Sequence, residues 1–236
     1  MILQASFAAA TRLFTPGFRA VLFKSLGLTV LVLIGLWFAI AGLFDWLALP
    51  PLLSLLPDVP EWANWLGLFA AILAGLALAL GLGLLIAPVT AIIAGFFLDD
   101  VAEIIEREDY PQDPVGQALP MTTAAIVSAK FLVLVVLGNL LALVLLLVPF
   151  INIAAFFVVN GYLLGREFFE FAAMRHRSEA EAKALRRRHS GTIFLAGLVI
   201  ALVLSIPIMN LATPLFAAGM MVHLHKMVAA DDRIAQ

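Results

Sequence analysis

Apolar and polar positions follow the same pattern twice in the second half of the chain. In each copy a long uncharged run is interrupted by Pro-x-x-Asn, first at Pro149 and again at Pro207. The two copies are offset by 58 residues and occupy Phe131–Gly165 and Ser190–Val222. Proline removes a helical hydrogen-bond donor and clashes with the preceding turn, and Asn favours turns. Each run is therefore predicted to break into two helical limbs.

The limbs that follow the two breaks are short for a membrane crossing. Ile153–Gly165 and Leu211–Val222 each reach about 20 Å at about 1.5 Å per residue, whereas the hydrocarbon core is about 30 Å thick. Length alone leaves two interpretations open. The runs are either helical hairpins that enter the bilayer and return, or bent transmembrane helices with kinking prolines.

The first half of the chain predicts a surface helix followed by two long membrane helices. Leu3, Phe7 and Phe14 recur at helical spacing, which is typical of a short amphipathic helix lying on a membrane. The uncharged residues 25–44 have the length of one transmembrane helix, and Trp62–Leu98 contains a second.

The second membrane helix is expected to continue into water as far as residue 110. Val101 and Ile105 lie on one apolar face of this extension, and Glu103 precedes Arg107 by one helical turn. Such a face predicts packing against another surface element.

A basic segment at residues 166–189 decides between the two membrane topologies. It contains seven Lys and Arg residues and is predicted to be an amphipathic surface helix. Basic residues precede the first membrane helix, while the following loop, Asp45–Glu61, has none, so the positive-inside rule makes the N-terminus cytoplasmic. The same rule makes residues 166–189 and the C-terminus cytoplasmic only if both broken runs are hairpins, and we therefore favour the hairpins.

Composition supports an all-α integral membrane protein with one membrane domain. Hydrophobic residues make up 64% of the chain and charged residues 13%, about half the share in globular proteins. The predicted segments are residues 1–24 (surface helix and turn), 25–44 (first membrane helix), 62–110 (second membrane helix and extension), 121–165 (first hemi-penetrating hairpin), 166–189 (surface helix) and 190–226 (second hairpin).

The polar residues point away from enzymes and cofactors. The chain has no cysteine, which excludes disulfides and thiolate metal sites, and its net charge of −2 gives no reason to expect a nucleic-acid surface. His223-x-His225 lacks a third ligand in the sequence, so no metal site is expected. All four uncharged runs lack the ionisable residue that proton-coupled carriers keep at membrane depth, which favours a passive pathway.

Asn152 and Asn210 are candidates for such a pathway because they sit at the two predicted hairpin tips. Non-helical backbone at membrane depth is tolerated inside protein or beside a water-filled cavity. The two amides either line a polar path or simply cap broken helices.

The sharpest local signal is the sequence Thr15-Pro-Gly-Phe-Arg19. Thr15 can cap a helix that starts at Pro16, which leaves the N–H groups of the first turn free. Gly17 allows close approach to the backbone, and the helix dipole together with Arg19 favours a tetrahedral oxyanion. The alternative is an ordinary helix start whose Arg19 extends to a lipid phosphate.

Taken together, these features resemble the CysZ-type sulfate permeases of the etoposide-induced-protein-24-like group. The features are a Gly-Φ-Arg turn before the first long span, two spans, two Pro/Asn-broken hairpins and a basic surface helix. In that family the motif is Gly-Leu-Arg, often with a second basic residue, whereas this chain has Phe18 and Ala20. The resemblance implies sulfate binding at Gly17, Phe18, Arg19 and Ala20.

The resemblance further implies a multi-pass protein of the bacterial inner membrane that supplies sulfate for cysteine biosynthesis. It also implies a homo-oligomer built from dimers, up to a hexamer, with membrane lipid as a second partner. The alternative function is a non-transporting scaffold or assembly factor. A weaker alternative is an enzyme acting on lipid headgroups through Glu103, Glu106 and Arg166. The sequence also predicts a charge network of Glu103, Glu106 and Arg107 with Arg166 or Arg175.

Overall fold

The computed structural model describes residues 1–48, 64–120 and 151–234 together with the single positions 122 and 126, and its regular elements there are all helical. The all-α prediction is thereby confirmed for the described residues. In chain order the helices are α1 (Ile2–Arg12), α2 (Pro16–Leu43) with a π-helical turn (Phe44–Ala48), α3 (Asn64–Gly95), α4 (Leu98–Asp109), α5 (Ile151–Met174), α6 (Glu179–Arg188), α7 (Ser190–Leu204), α8 (Pro207–Asn210) and α9 (Thr213–Ile234).

The chain forms two compact units, which we describe separately. The first unit contains Met1–Phe23 and Gly95–Gln236, and the second contains Lys24–Ala94. The second unit therefore consists of most of α2 together with α3, and the remaining described helices belong to the first.

The helices of the second unit expose large apolar side chains. Within the described ranges, α2 is the one helix long and apolar enough to cross a membrane alone. Only 6% of the most apolar 18-residue stretch of this helix is buried. Large side chains such as Phe38 and Ile72 face outward from α2 and α3. The polar Thr29 is buried, and its hydroxyl donates to the Ser25 carbonyl oxygen at 2.8 Å, so the helix satisfies its own polar group.

In the first unit the other helices pack around α9. This helix contacts α1, α4, α5 and α7. From Leu215 to Lys226 every side chain is buried, including Met220, Met221 and Leu224. A helix that is apolar around most of its circumference must be covered on all sides, which explains its central position.

Glycines hold α5 and α7 in close contact. A methyl group on Gly197 would overlap with the carbonyl oxygen of Gly161, and one on Gly165 would lie 2.6 Å from the Ile193 carbonyl oxygen. Small residues spaced four apart, as at Gly161 and Gly165, let helix backbones approach each other. This pair has the most extensive contact between helices that the structure describes.

Two helix boundaries differ from the prediction. The helix expected to run from residue 62 to 110 ends at Gly95, and α4 begins at Leu98 with Asp99 and Asp100 in its first turn, where acids favour a new helix start. Helix α2 begins at Pro16, where the sequence predicts a helix start, and it contains the apolar run predicted as the first membrane helix.

The second difference concerns the basic surface helix predicted at residues 166–189. Helix α5 continues through Gly165 to Met174, because that glycine serves contact with α7 and does not end the helix. The break comes at residues 175–178, and α6 then starts at a capping box made by Ser178 and Glu181.

The second broken run does break at its Pro-x-x-Asn sequence. Helix α7 ends at Leu204, α8 spans Pro207–Asn210, and α9 begins at Thr213 and returns along α7. Helix α9 is longer than the predicted limb, because it ends at Ile234 instead of Val222. Most of the first broken run lies outside the described residues, so its hairpin stays a prediction.

Candidate functional site

The predicted anion-binding turn connects α1 to α2. Helix α2 begins at Pro16, as the sequence predicts. The Thr15 hydroxyl donates to the carbonyl oxygen of Arg12 at 2.8 Å, so it closes the end of α1 and does not cap α2. The N–H group of Arg19 donates to the Thr15 carbonyl oxygen at 2.9 Å, so the prediction that this N–H is free is wrong.

Phe18 is part of the core, not only of the turn. Its side chain is fully buried, and its ring lies 3.8 Å from the position that a methyl group on Gly219 would occupy. Phe18 therefore contributes core packing in addition to its place in the predicted anion-binding turn. By burying Phe18, the first unit fixes the first turn of α2 against α9.

Gly17 and Arg19 lie on different sides of this first turn. Gly17 faces α4, where an added methyl group would lie 3.8 Å from Ile104 and 3.9 Å from a Glu108 carboxylate oxygen. Arg19 is exposed, and its guanidinium lies 5.9 Å from the ring centroid of Phe23, within the range of a cation–π contact. Ala20 is exposed beside it.

Acidic groups next to the turn set its electrostatics. Arg12 binds the carboxylates of Glu108 and Asp109 at the end of α4. The hydrogen bond with Asp109 raises the pKa of Arg12, even though burial opposes the shift. Arg12 neutralises these acids, and Arg19 is an exposed cation on another side of the same turn. An anion there would gain from Arg19 and the helix dipole, and Glu108 would repel it.

A second charged centre lies where α4 meets the end of α5. Glu106 and Arg175 are both buried, with Arg175 Nη2 2.9 Å from Glu106 Oε2 and Arg175 Nε 3.2 Å from Glu106 Oε1. His176 Nε2 lies 2.8 Å from Glu106 Oε1, and the Gly116 N–H donates to Glu106 Oε2 at 2.8 Å. Asp99 also binds Arg175. Both charges of this cluster are therefore paired and hydrogen-bonded.

These contacts determine the ionisation of Glu106. Burial by itself would raise its pKa, but the hydrogen bonds from His176, Arg175 and Gly116 outweigh burial and lower the pKa to about 2. Glu106 is therefore ionised at neutral pH and acts as the acceptor that joins α4, α5 and the segment after α4.

The segment after α4 is also attached to α9. Tyr110 Oη lies 2.9 Å from His223 Nδ1, and the Lys226 ammonium lies 3.2 Å from Asp113. Burial is the main reason that the pKa of Tyr110 is raised to about 12. His223 thus has a structural partner, and among the described residues no cluster of three or more His, Asp or Glu side chains could hold a metal ion.

The other members of the predicted charge network lie elsewhere. Glu103 pairs with Arg107 on the exposed side of α4, and Arg166 lies 3.4 Å from Glu170 within α5. The structure therefore pairs Glu106 with Arg175 rather than with Arg166. Glu103, Glu106 and Arg166 thus have three different ion-pair partners among the described residues.

The role of Asn152 and Asn210 in a polar pathway stays a prediction. Asn152 lies in the first turn of α5, but its side chain is outside the described part of the chain. Asn210 is the last residue of α8 and is half-buried.

The comparison with protein families identifies the chain. A family model described as sulfate transporter CysZ/etoposide-induced protein 2.4 matches residues 5–214, which is most of the chain and includes the turn at Gly17 and α2. The chain belongs to this family. Membership and the apolar α2 together indicate a membrane protein of a transporter family. A comparison with curated proteins finds no match.

Sequence reasoning missed two residues at the turn. Arg12 and Glu108 are 96 positions apart, and neither belongs to a motif. The signal for Arg12 was its place at the end of a predicted helix, next to the turn. No local signal marked Glu108, since only the tertiary structure brings α4 beside Gly17 at the start of α2.

Proposed function

We propose that this protein passes sulfate across the bacterial inner membrane without ATP, with the turn of Gly17, Phe18, Arg19 and Ala20 as the first binding site. The observation that supports it is the family match over residues 5–214 combined with the position of Arg19. Arg19 is exposed in the first turn of α2, the one described helix long and apolar enough to cross a membrane alone, and Gly17 two positions earlier is also exposed.

In this proposal the residues of the turn position the sulfate ion and supply the positive charge that binds it. Arg19 supplies charge-assisted hydrogen bonds to a sulfate oxygen, and Gly17 keeps the first turn of α2 accessible. Arg12 holds Glu108 and Asp109 and so limits their repulsion of the anion. Burial of Phe18 keeps the turn in place while sulfate arrives and leaves.

The arrangement in the membrane is part of the same proposal. We place α2 and α3 as two crossings, with hairpins at residues 121–165 and 190–226 and both termini in the cytoplasm. The protein is expected to act as a homo-oligomer, since a hairpin that crosses only part of the bilayer leaves a passage to be completed by another copy. The supplied sulfate would serve cysteine biosynthesis.

Sulfate binding by calorimetry on the purified protein tests the site. Arg19→Ala is expected to weaken binding about ten- to a hundredfold, because a charge-assisted contact contributes about 1.5–3 kcal/mol. Lys24→Ala is the matched control, since it removes an exposed cation from the same helix five residues later. Glu108→Gln is expected to strengthen binding, because it removes the nearest negative charge.

Sulfate flux into proteoliposomes tests the function. The parent protein is expected to carry labelled sulfate down its gradient without ATP, and Arg19→Ala is expected to reduce the rate at low sulfate. A scaffold or assembly factor predicts no flux above empty liposomes. If Arg19→Ala and Lys24→Ala bind sulfate equally well, the site is not at this turn.

A further inference from the structure

A second basic site lies in a cleft between α5, α6 and α7. Helices α6 and α7 meet at an angle of 91° at His189, so the last turn of α6 and the first turn of α7 share one corner. Tyr162 and Arg166, one helical turn apart on α5, form the third side. The cleft has a volume of about 280 Å³, compared with roughly 30 Å³ for one water molecule in the liquid.

Two arginines of the cleft are held in place by one acid. Glu170 Oε1 accepts from Arg186 Nε at 2.7 Å and lies 3.4 Å from Arg166 Nε. The side chains of Arg186 and Arg166 are 14% and 22% exposed, and Glu170 is 7% exposed. The contacts that the described residues make with both guanidinium groups use the Nε atoms, which leaves the Nη atoms for another partner. Two cations face one anion, so the cleft keeps a positive charge.

The start of α7 adds neutral donors to the same cleft. His189 precedes the helix without a side-chain cap, and the first backbone bond of the helix is from Ile193 N–H to the His189 carbonyl oxygen at 3.0 Å. Ser190 brings a hydroxyl, and a methyl group on Gly191 would meet nothing within 4 Å. The backbone here is open to a ligand as large as a tetrahedral anion.

We infer that this two-arginine cleft, formed by Tyr162, Arg166, Arg186, Ser190 and Gly191, binds a tetrahedral oxyanion. Guanidinium groups whose Nη atoms have no partner in the described part of the chain match the oxygens of a phosphate or sulfate group, and hydroxyls complete such a site. The source is either the phosphate of an anionic lipid headgroup or a free inorganic anion, which share this chemistry. The cleft shares no residue with the turn at Gly17 and Arg19, so the inference is independent of the proposed function.

Two arms of one experiment distinguish the sources. In the first, inorganic phosphate is titrated into the purified full-length protein by calorimetry at constant ionic strength, balanced with chloride. In the second, the protein is placed in nanodiscs of phosphatidylcholine with or without phosphatidylglycerol, and retained lipid is counted by native mass spectrometry.

Arg186→Ala is the test variant and Arg187→Ala the matched control, because Arg187 is the next residue on α6, exposed and outside the cleft. Arg186→Ala is expected to weaken binding at least about tenfold in one arm, while Arg187→Ala matches the parent. A loss confined to the phosphate arm identifies a free anion, and a loss confined to the lipid arm identifies a headgroup.

A third variant covers the case in which Arg186→Ala does not fold. Gly191→Val removes no charge and places its side chain in open space within the cleft, so it should fold and block binding. Arg19→Ala should leave binding in the cleft intact, and a loss in Arg19→Ala alone would assign the anion to the turn. Equal binding by Arg186→Ala, Gly191→Val and Arg187→Ala in both arms would overturn the two-arginine cleft.

Discussion

At the scale of single residues, Phe18 connects the candidate sulfate turn to the core. Its neighbours Gly17 and Arg19 are exposed, but its own side chain is fully buried. A large apolar side chain in the first turn of α2 thus stabilises the position of two residues that a ligand can reach. The side chain of Arg19 can therefore move toward an anion while the backbone of the turn stays in place.

Phe18→Ala is expected to lower the free energy of unfolding by about 3–5 kcal/mol, because it removes buried surface and leaves a cavity. Phe14→Ala is the matched control, since Phe14 is 78% exposed just before the same helix and should change stability little in detergent. Thermal melting of both variants gives the comparison. Equal melting temperatures would mean that Phe18 is not a core residue.

Glu106 and Glu103 show how one helical turn separates a buried charge from a solvated one. Glu106 pairs with Arg175 inside the first unit, and Glu103 pairs with Arg107 on the surface. Removing one partner of a buried pair leaves an uncompensated charge, whereas an exposed pair contributes about 0–1 kcal/mol. Glu106→Gln is therefore expected to destabilise the protein by about 3–5 kcal/mol, and Glu103→Gln by less than about 1 kcal/mol, as measured by unfolding in denaturant.

The lowered pKa of Glu106 predicts how the stability of the protein depends on pH. Its folded-state pKa of about 2 lies below the ordinary value of 4.5, so its contribution is present above about pH 4.5 and is lost as the pH falls toward 2. The parent is expected to lose on the order of 3 kcal/mol more than Glu106→Gln across this window. Melting temperatures from pH 5 to pH 2 check this, and parallel curves for the two proteins would contradict it.

At the scale of elements, the close contact between α5 and α7 depends on some of their glycines and not on others. Gly161, Gly165 and Gly197 let α5 and α7 touch through their backbones, whereas Gly191 on the same α7 faces open space. The contact between α5 and α7 matters for the two-arginine cleft because these helices form two of its three sides.

Gly197→Ala is expected to separate α5 from α7, because its methyl group would overlap with backbone atoms that cannot rotate away. The predicted loss is several kcal/mol of stability, in the range of severe overpacking. Gly191→Ala is the control on the same helix and should be neutral or slightly stabilising. Equal melting temperatures for Gly197→Ala and Gly191→Ala would show that the backbones of α5 and α7 are not in contact.

At the scale of the whole molecule, the open question is which side of the membrane each charged element faces. Most basic residues between Arg166 and Arg188 have acidic partners, including Glu106, Glu170 and Asp232. The positive-inside rule counts Lys and Arg rather than net charge, so these pairs do not weaken the predicted cytoplasmic position of α6.

Single cysteines in this cysteine-free chain can test the topology. Ala184 is exposed in the middle of α6, and Leu47 is exposed after α2. A membrane-impermeant thiol reagent is expected to label Ala184→Cys only from the cytoplasmic side and Leu47→Cys only from the opposite side. Labelling of Ala184→Cys from outside would contradict the hairpin topology. Labelling of each site from both sides would mean that the chain inserts in two orientations.

Features that depend on local chemistry could be predicted from the order of residues. Uncharged runs and composition indicated an all-α membrane protein, and the family match and the described helices confirm this. Pro16 was predicted as the first residue of a helix, and Pro207 was predicted to break one, because proline restricts its own backbone whatever surrounds it.

Contacts between residues far apart in the chain could not be predicted in this way. Phe18 has the same local spacing whether buried or exposed, and Glu103 and Glu106 are equally acidic in the sequence. Arg175 is 69 positions from Glu106, and Gly165 differs from a helix-ending glycine only because α7 passes beside it. Burial and partner choice follow from packing between distant segments, which residue spacing along one helix does not specify.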